Sequence, residues 1–193
     1  MSKPIRIVAI SGSLRERSFN RALLRAAAEL APPGMELVDF DISQLPHYDG
    51  DVEAGPGHEK VDELRAAVRD ADGLLLATPE YNRGTSGVLK NAIDWLSRPA
   101  LVSVLRWKPV AVIGATTGRS GTRRAQQQVR DALHFPGAEV VEEPEVAIAL
   151  ARDSFDEEGG RLVDEEARAA LAELLEALSR AARGSTQPVS TAV

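Results

Sequence analysis

The feature that most constrains the fold is an alternation of short aliphatic runs with segments that carry a helical stripe. The runs lack helical periodicity, which is typical of strands buried in a parallel sheet. Four of them occupy residues 5–10, 35–40, 73–78 and 109–114, and residues 139–141 and 146–149 are candidates for a fifth strand split by Pro144. Each of the first four runs is followed by apolar residues spaced three and four apart, so the sequence predicts a repeating βα unit.

This alternation predicts an α/β protein with a parallel sheet and helices on both faces. Five strands fit the flavodoxin-like three-layer sandwich, in which the strand order is 2-1-3-4-5. In that order ligands bind at the loops after strands 1, 3 and 4, which are the three loops with unusual sequences here. We expect one flavodoxin-like domain over residues 1–183 and a disordered tail over residues 184–193, which has no periodicity.

Composition excludes several classes of protein. The chain has 193 residues and no cysteine, so disulfides, iron–sulfur clusters and cysteine nucleophiles are excluded, and its three histidines make no metal-binding spacing. The net charge of −6 argues against a general nucleic-acid-binding protein. No apolar run approaches the roughly 18 residues of a membrane span, and none resembles a signal peptide. We therefore expect a cytoplasmic protein without nucleic-acid or membrane partners.

The loop after the first strand is rich in groups that bind anions. These groups are the side chains of Ser11, Ser13, Arg15, Arg17, Ser18 and Asn20. The loop lacks the glycine-rich fingerprints of dinucleotide and nucleoside triphosphate sites. A helix follows, and helix N-termini bind phosphate readily, so we expect the loop to bind a terminal phosphate monoester. The alternative is that Ser18 only caps the helix and the arginines form a solvated face.

The loop after the third strand combines an aromatic ring with an amide and a free backbone. Pro79 ends the strand, and Glu80, Tyr81 and Asn82 follow it. A stacking ring beside an amide suits a flat heteroaromatic ligand, so we interpret this segment as a flavin-ring loop. The alternative is that Tyr81 is a packing residue and that its neighbours only form a turn.

The loop after the fourth strand gives a weaker signal. Residues 115–122 include Thr116, Thr117, Gly118 and Gly121. The glycines allow the backbone to approach a ligand, although threonine and glycine are also ordinary loop residues.

Together these segments resemble the NAD(P)H-dependent FMN reductase family, which includes quinone, chromate and azo reductases. The resemblance rests on residues 12–20, 78–99 and 118–133. It implies bound FMN, with NAD(P)H as hydride donor, and a homodimer that in many members forms a tetramer. It also implies a set of cofactor-binding residues: Ser11, Ser13, Arg15, Ser18 and Asn20 for the phosphate, Pro79, Glu80, Tyr81 and Asn82 for the ring system, and Thr117 and Gly118 for its pyrimidine side.

A few positions depart from the family pattern. Gly84 and Ser86 stand where the family usually has serine and proline, which predicts a looser start of the next helix. Thr116 keeps a hydroxyl where the family often has serine. Gln127 replaces a tyrosine that links tetramers in some members, which weakens the expectation of a tetramer.

The expected reaction is hydride transfer from NAD(P)H to the flavin, followed by electron transfer to an acceptor. Candidate acceptors are quinones, chromate, azo or nitro compounds and free flavin. Donor and acceptor would use the same exposed ring face, which predicts ping-pong kinetics, and the homodimer interface is expected to include the helix that carries Trp95. The expected enzyme has no catalytic side chain of its own.

Two other functions stay open from the sequence. A flavodoxin-type electron carrier usually holds its ring between two aromatic side chains. Here only Tyr81 lies in a candidate loop, and Trp107 is the remaining candidate for a second ring, so the reductase is favoured. The third function is an FMN-free interaction protein on the same fold.

Overall fold

A single twisted layer of strands runs through the molecule. The computed structural model describes residues 4–56 and 58–185. The strands are β1 (Ile5–Ser11), β2 (Met35–Asp39), β3 (Gly73–Ala77), β4 (Pro109–Ala115) and β5 (Glu139–Ile148). The α-helices are α1 (Phe19–Glu29), α2 (Gly50–Glu53), α3 (Glu59–Asp70), α4 (Gly87–Leu96), α5 (Arg123–His134), α6 (Ala151–Ser154) and α7 (Glu165–Gly184).

The sheet confirms the predicted topology. Its order is β2-β1-β3-β4-β5, and every neighbouring pair is parallel. Successive residues of β1 face opposite sides, which divides the core into two layers. Ile7 and Ala9 pack with α1 and α7, whereas Val8 and Ile10 pack with α3, α4 and α5. Helices therefore cover both faces, as in a flavodoxin-like sandwich.

The fifth strand explains why the sequence showed two candidates. Residues 139–141 and 146–148 both pair with β4, and the register shifts between them. The intervening residues, which include Pro144, form an irregularity within a single strand. Both predicted segments are therefore present, joined rather than separate.

Two short helices lie where the sequence predicted only loops. The helix α2 falls within predicted loop 41–57, and α6 overlaps predicted loop 152–160. Each has four residues, too few to display a helical stripe. The predicted tail starts at Gly184, which is the last residue of α7, and residues 186–193 lie outside the described residues.

The three loops predicted to bind a ligand follow three adjacent strands. We call them loop 1 (residues 12–18, after β1), loop 3 (residues 78–86, after β3) and loop 4 (residues 116–122, after β4). Because β1, β3 and β4 are neighbours and parallel, their carboxyl ends meet at one edge of the sheet. We call this edge the ligand edge.

Candidate functional site

Loop 1 and loop 3 pack directly against each other through a glycine. The N–H of Gly12 donates to the carbonyl of Ala77 at 2.8 Å. A Cβ on Gly12 would lie 2.9 Å from Oγ of Ser86 and 3.0 Å from Cδ of Pro79, which is too close for a side chain. Pro79 is itself buried. The predicted ring-lining proline thus holds loop 3 against loop 1.

Loop 1 contains a buried hydroxyl group without a protein partner. Oγ of Ser13 is buried, and no hydrogen-bond partner for it exists among the described residues. The neighbouring Ser11 is engaged locally, since its hydroxyl donates to the carbonyl of Ser13 at 3.1 Å and accepts the N–H of Ser13 at 3.2 Å. A buried hydroxyl costs free energy when it is left unpaired, so Ser13 Oγ is suited to a ligand atom.

The backbone around Ser13 offers further donors. The N–H groups of residues 14–17 have no acceptor within residues 4–56 and 58–185. Arg15 and Arg17 are exposed in the same segment, and α1 begins two residues later with its partial positive charge. Ser18 caps α1 by accepting the N–H of Asn20 at 3.2 Å, as the alternative interpretation expected. The other groups still form a cradle that fits a phosphate.

Asn20, predicted to hold the phosphate, forms two hydrogen bonds with the end of β4. Its Nδ2 donates to the carbonyl of Ala115 at 3.0 Å, and its Oδ1 accepts the N–H of Ala115 at 2.9 Å. Asn20 is buried, and these two bonds tie the start of α1 to the end of β4. Its side chain therefore positions loop 1 relative to loop 4.

Arg21 is a residue of this region that the sequence did not reveal. Its Nε donates to the carbonyl of Ser13 at 3.3 Å, which supports loop 1 from the side of α1. Asp39 lies nearby at the end of β2. Burial raises the pKa of Asp39, and the guanidinium of Arg21 acts in the opposite direction. The sequence does not indicate this contact, because a single arginine on a helix has no pattern that links it to Ser13, eight residues earlier.

Loop 3 forms a tight hairpin that presents Tyr81. The N–H of Tyr81 donates to the carbonyl of Gly84 at 2.9 Å, and the N–H of Gly84 donates back at 3.0 Å. Between them Asn82 and Arg83 have φ values of 51° and 66°, the geometry of a type I′ turn. The side chain of Tyr81 is 48% exposed, so its ring is available at the ligand edge. Asn82 is also exposed.

Loop 3 is anchored to α5 as well as to β3. The hydroxyls of Thr78 and Thr85 lie 2.9 Å apart, and the N–H of Thr85 donates to Oε1 of Gln128 at 3.0 Å. The Gln128 carboxamide occupies the space beside Gly84, where a Cβ would lie 2.8 Å from Oε1. Ser86 caps α4, with its Oγ accepting the N–H of Leu89 at 3.4 Å. Ser86 thus provides a capping hydrogen bond at the position where the family usually has proline.

Glu80, predicted to line the ring, turns its carboxylate towards α5. Its Oε1 accepts the hydroxyl of Ser120 at 2.8 Å. Its Oε2 accepts the N–H groups of Arg124 at 3.2 Å and Ala125 at 3.4 Å. The side chain thus joins loop 3 to loop 4 and to the first turn of α5.

Loop 4 is held on one side and open on the other. The N–H of Gly118 donates to Oγ1 of Thr116 at 3.2 Å, and the carbonyl of Gly118 accepts the N–H of Leu150 at 2.9 Å. Thr117 and Arg119 are exposed, and their N–H groups have no acceptor in the described part of the chain. Loop 4 can therefore donate backbone hydrogen bonds to a ligand at the edge.

The tryptophan residues lie away from the ligand edge. Trp95 is fully buried, and its Nε1 donates to the carbonyl of Pro46 at 2.8 Å. Asn91 donates to the same carbonyl at 2.9 Å and accepts the N–H of Tyr48 at 2.7 Å. Trp107 precedes β4, so it lies at the opposite edge of the sheet from the loops. It cannot provide a second aromatic ring at the site.

The fold and the three adjoining loops define a flavodoxin-like protein. The sequence profile described as NADPH-dependent FMN reductase matches residues 5–153. The chain belongs to this family of oxidoreductases, whose cofactors are FMN and NAD(P)H. The predicted family, fold and enzyme class are therefore confirmed.

Individual relatives agree with this assignment. An NAD(P)H-dependent FMN reductase of Pseudomonas aeruginosa is 47% identical over 178 residues, covering 92% of this chain and 95% of the relative. A 2-hydroxy-1,4-benzoquinone reductase of Burkholderia is 40% identical over 164 residues, covering 85% and 88%. The structure resembles the flavoenzyme NAD(P)H:(acceptor) oxidoreductase FerB of Paracoccus denitrificans, with a TM-score of 0.84, 31% identity and coverage of 94% and 98%.

Within residues 4–56 and 58–185, no helix has the length and apolarity to cross a membrane. The same residues hold no cluster of histidine, aspartate and glutamate side chains suited to a metal ion.

Proposed function

We propose that this protein is an FMN-dependent NAD(P)H oxidoreductase that reduces quinones. The observation that carries the proposal is the single exposed aromatic ring, Tyr81, at a ligand edge formed by three open loops. Bound FMN would supply the redox chemistry, taking hydride from NAD(P)H and passing electrons to the acceptor. The side chains of the loops would bind and orient the cofactor, and none of them is assigned as a nucleophile or a general base.

Loop 1 is proposed to hold the phosphate of FMN. The unpaired hydroxyl of Ser13 and the free N–H groups of residues 14–17 are donors for its oxygens. Arg15 supplies charge at the rim, while Ser11 and Ser18 shape the loop through their backbone contacts. These groups come from one strand end and one helix start, an arrangement that suits a compact monoester.

Loops 3 and 4 are proposed to hold the ring system. Tyr81 and Asn82 are exposed on the hairpin of loop 3, and Pro79 fixes the hairpin against loop 1. The N–H groups of Thr117 and Arg119, with Gly118 between them, are donors for the carbonyl oxygens on the pyrimidine side. Glycine at position 118 leaves room for that approach.

The open ring face favours an enzyme over an electron carrier. A carrier shields its ring between aromatic side chains, whereas Trp107 lies beyond the opposite edge of the sheet from Tyr81. A hydride donor and an acceptor can then use the same face in turn, which supports ping-pong kinetics. The quinone assignment draws support from the Burkholderia relative, which is named for a benzoquinone. Chromate, azo or nitro compounds and free flavin would meet the same exposed face.

Kinetics with a quinone test this function. We expect purified protein to show flavin absorbance and to oxidise NAD(P)H continuously when a benzoquinone is supplied. Initial rates measured at several fixed quinone concentrations should give parallel double-reciprocal lines. Intersecting lines would exclude the ping-pong scheme, and a flavin-loaded protein without turnover would support the electron carrier. A protein that takes up no FMN would support the interaction-protein alternative.

The Ser13→Ala variant tests the phosphate site. FMN affinity should fall about 10- to 150-fold, the range for a hydrogen bond to a charged group. The apoprotein should be at least as stable as its parent, because the substitution removes a buried hydroxyl that has no protein partner. Calorimetric titration with FMN and thermal unfolding of both apoproteins measure the two effects.

Ser97→Ala is a matched control, since Ser97 lies at the far end of α4 and donates its hydroxyl to the carbonyl of Asp94. Its FMN affinity should equal that of the parent. Unchanged FMN affinity in Ser13→Ala would place the phosphate elsewhere.

The assembly is proposed to be a homodimer in the cytoplasm. A groove of about 490 Å³ lies between α4 and α5. Beside it Phe135 is 90% exposed and Leu101 is 84% exposed, which is unusual for large apolar side chains. A second copy of the chain would cover them, and a tetramer would require an additional surface.

A further inference from the structure

The start of α5 lacks a capping side chain of its own. Thr122 occupies the N-cap position with a φ of 62°, and its side chain makes no capping hydrogen bond. Its hydroxyl instead accepts a hydrogen bond from Nε2 of Gln126 at 3.0 Å. The first turn contains Arg123 and Arg124 and no acidic residue. The helix therefore begins with unpaired N–H groups and a partial positive charge that nothing in its own sequence balances.

Glu80 supplies the missing cap from a loop more than forty residues earlier in the chain. Its Oε2 accepts the N–H groups of Arg124 and Ala125, while its Oε1 accepts the hydroxyl of Ser120. A carboxylate at a helix N-terminus is favoured both by these hydrogen bonds and by the helix dipole. The contact also immobilises Ser120, which lies two residues beyond Gly118 in loop 4.

The other end of loop 3 is tied to the same helix. The N–H of Thr85 donates to Oε1 of Gln128, one turn further along α5. Loop 3 is therefore fixed to α5 both before and after the Tyr81 hairpin. Loop 4 leads directly into α5, so the relative position of the two loops depends on these contacts.

We infer that Glu80 is a positioning residue that holds loop 4 against loop 3, so that the pyrimidine side and the ring face of the flavin site keep a fixed spacing. The inference rests on the proposed FMN site and extends it, because the carboxylate acts through Ser120 and α5 and does not touch the cofactor. Its position within the ring loop suggested direct contact with the ring, whereas its hydrogen bonds point to the helix.

Two substitutions test the inference. Glu80→Ala removes the cap, whereas Glu80→Gln keeps an acceptor oxygen for the two N–H groups but loses the negative charge that the helix dipole favours. Both should raise the FMN dissociation constant, and the alanine should raise it more, because it removes the hydrogen bonds as well as the charge. The visible circular dichroism of bound flavin should change as well, since it reports the orientation of the ring in its site.

Hydrogen exchange of the apoprotein provides a readout that needs no cofactor. Peptides spanning residues 117–127 should exchange faster in Glu80→Ala than in the parent, because Arg124 and Ala125 lose their acceptor. A matched control is Glu59→Gln, which alters an exposed glutamate in the first turn of α3. It should leave the exchange of these peptides and the FMN affinity unchanged.

A double variant distinguishes positioning from contact. Ser120→Ala should weaken FMN binding in the parent and add little in the Glu80→Ala background, because the two residues act as one unit. Weaker FMN binding with unaltered exchange would mean that Glu80 contacts the ligand directly, and faster exchange with unaltered binding and dichroism would mean that it only caps α5. Either result overturns the inference. If the parent takes up no FMN, the proposed function fails, while the exchange measurement still decides whether Glu80 caps α5.

Discussion

Gly84 lies against a carboxamide that fills the space a side chain would need. A Cβ at this position would come within 2.8 Å of Oε1 of Gln128, the atom that accepts the N–H of Thr85. The departure from the family pattern at position 84 is thus matched by a contact from α5. The hairpin that carries Tyr81 lacks the family's serine at position 84, and the hydrogen bond from Thr85 to Gln128 holds it against α5.

We predict that Gly84→Ser destabilises the protein through Gln128. The glutamine must rotate away and release Thr85, which should lower the free energy of unfolding by about 1 kcal/mol, the value of one hydrogen bond. In a Gln128→Ala background, Gly84→Ser should leave the free energy of unfolding almost unchanged. Urea unfolding of the parent, both single variants and the double variant measures the coupling.

The matched control is Gly87→Ser, because nothing lies within 4 Å of a Cβ at Gly87. It should change the free energy of unfolding by less than about 0.5 kcal/mol. If Gly84→Ser is equally costly with and without Gln128, strain at position 84 comes from another source.

The sequence predicted residue types at this scale better than it predicted partners. The sequence indicated a loop rich in donors around Ser13, because hydroxyls after a buried strand form a local pattern. Asn20 and Glu80 were assigned to the ligand, yet they bind groups 95 and 44 residues away. Such contacts depend on which loops the sheet brings together, so the spacing of residues along the sequence does not predict them.

At the scale of elements, a buried lysine that precedes β4 lies against the C-terminal end of α3. Lys108 is 1% exposed and donates from Nζ to the carbonyls of Ala71 and Arg69 at the C-terminus of the helix. Carbonyl groups there are unpaired and carry a partial negative charge, which favours an ammonium group. Burial lowers the pKa of Lys108 to about 8, with Asp72 and Asp70 acting against that shift.

We predict that the contribution of Lys108 to stability increases with pH above about 8. A lysine in the unfolded chain has a pKa near 10.4, so between the two values the unfolded state binds more protons than the folded state. The free energy of unfolding of the parent should rise relative to that of Lys108→Met by up to about 1.4 kcal/mol per pH unit in this window. Below pH 8 the difference in free energy of unfolding between the parent and Lys108→Met should be constant.

Urea unfolding at pH 7, 8, 9 and 10 measures this slope. Lys90→Met, which removes an exposed lysine paired with Asp94, controls for the loss of one positive charge. A difference that stays flat or falls between pH 8 and pH 10 would contradict the prediction.

Helix and strand positions were largely predictable, whereas the path of the 41–57 segment was not. The periodic stripes of α4 and α5 identify buried faces because packing repeats every three to four residues. Residues 41–57 have no period in the sequence. In the structure Tyr48 and Pro46 form hydrogen bonds with the side chains of Asn91 and Trp95 in α4. The role of Asn91 has no signal in the sequence, because its partners lie in a loop that contributes nothing to the helical pattern.

At the scale of the whole molecule, four exposed apolar side chains gather at the edge opposite to the ligand edge. Leu101 and Val102 follow α4, Trp107 precedes β4, and Phe135 follows α5. They adjoin the groove between α4 and α5, which makes this end the natural surface for a second copy. Assembly there would leave loops 1, 3 and 4 accessible to substrates from the other side.

We predict a homodimer that depends on this surface. Light scattering after gel filtration should give a dimer at micromolar concentration, and Phe135→Glu should shift it to monomer by placing a charge in the interface. Val163→Glu is the control, since Val163 is 39% exposed on another part of the surface. A Phe135→Glu variant that stays dimeric would move the interface away from this groove.

The intrinsic fluorescence of the two tryptophans reports on two separate parts of this chain. Trp95 is sealed beneath the segment that begins at Pro46, whereas Trp107 is 46% exposed at the far end of the sheet. Their emission therefore differs in colour and in access to soluble quenchers. Release of the Pro46 segment would expose Trp95 and shift its emission to longer wavelength. Burial of the opposite edge of the sheet would protect Trp107 from quenchers. One emission spectrum thus follows two separate events without any label.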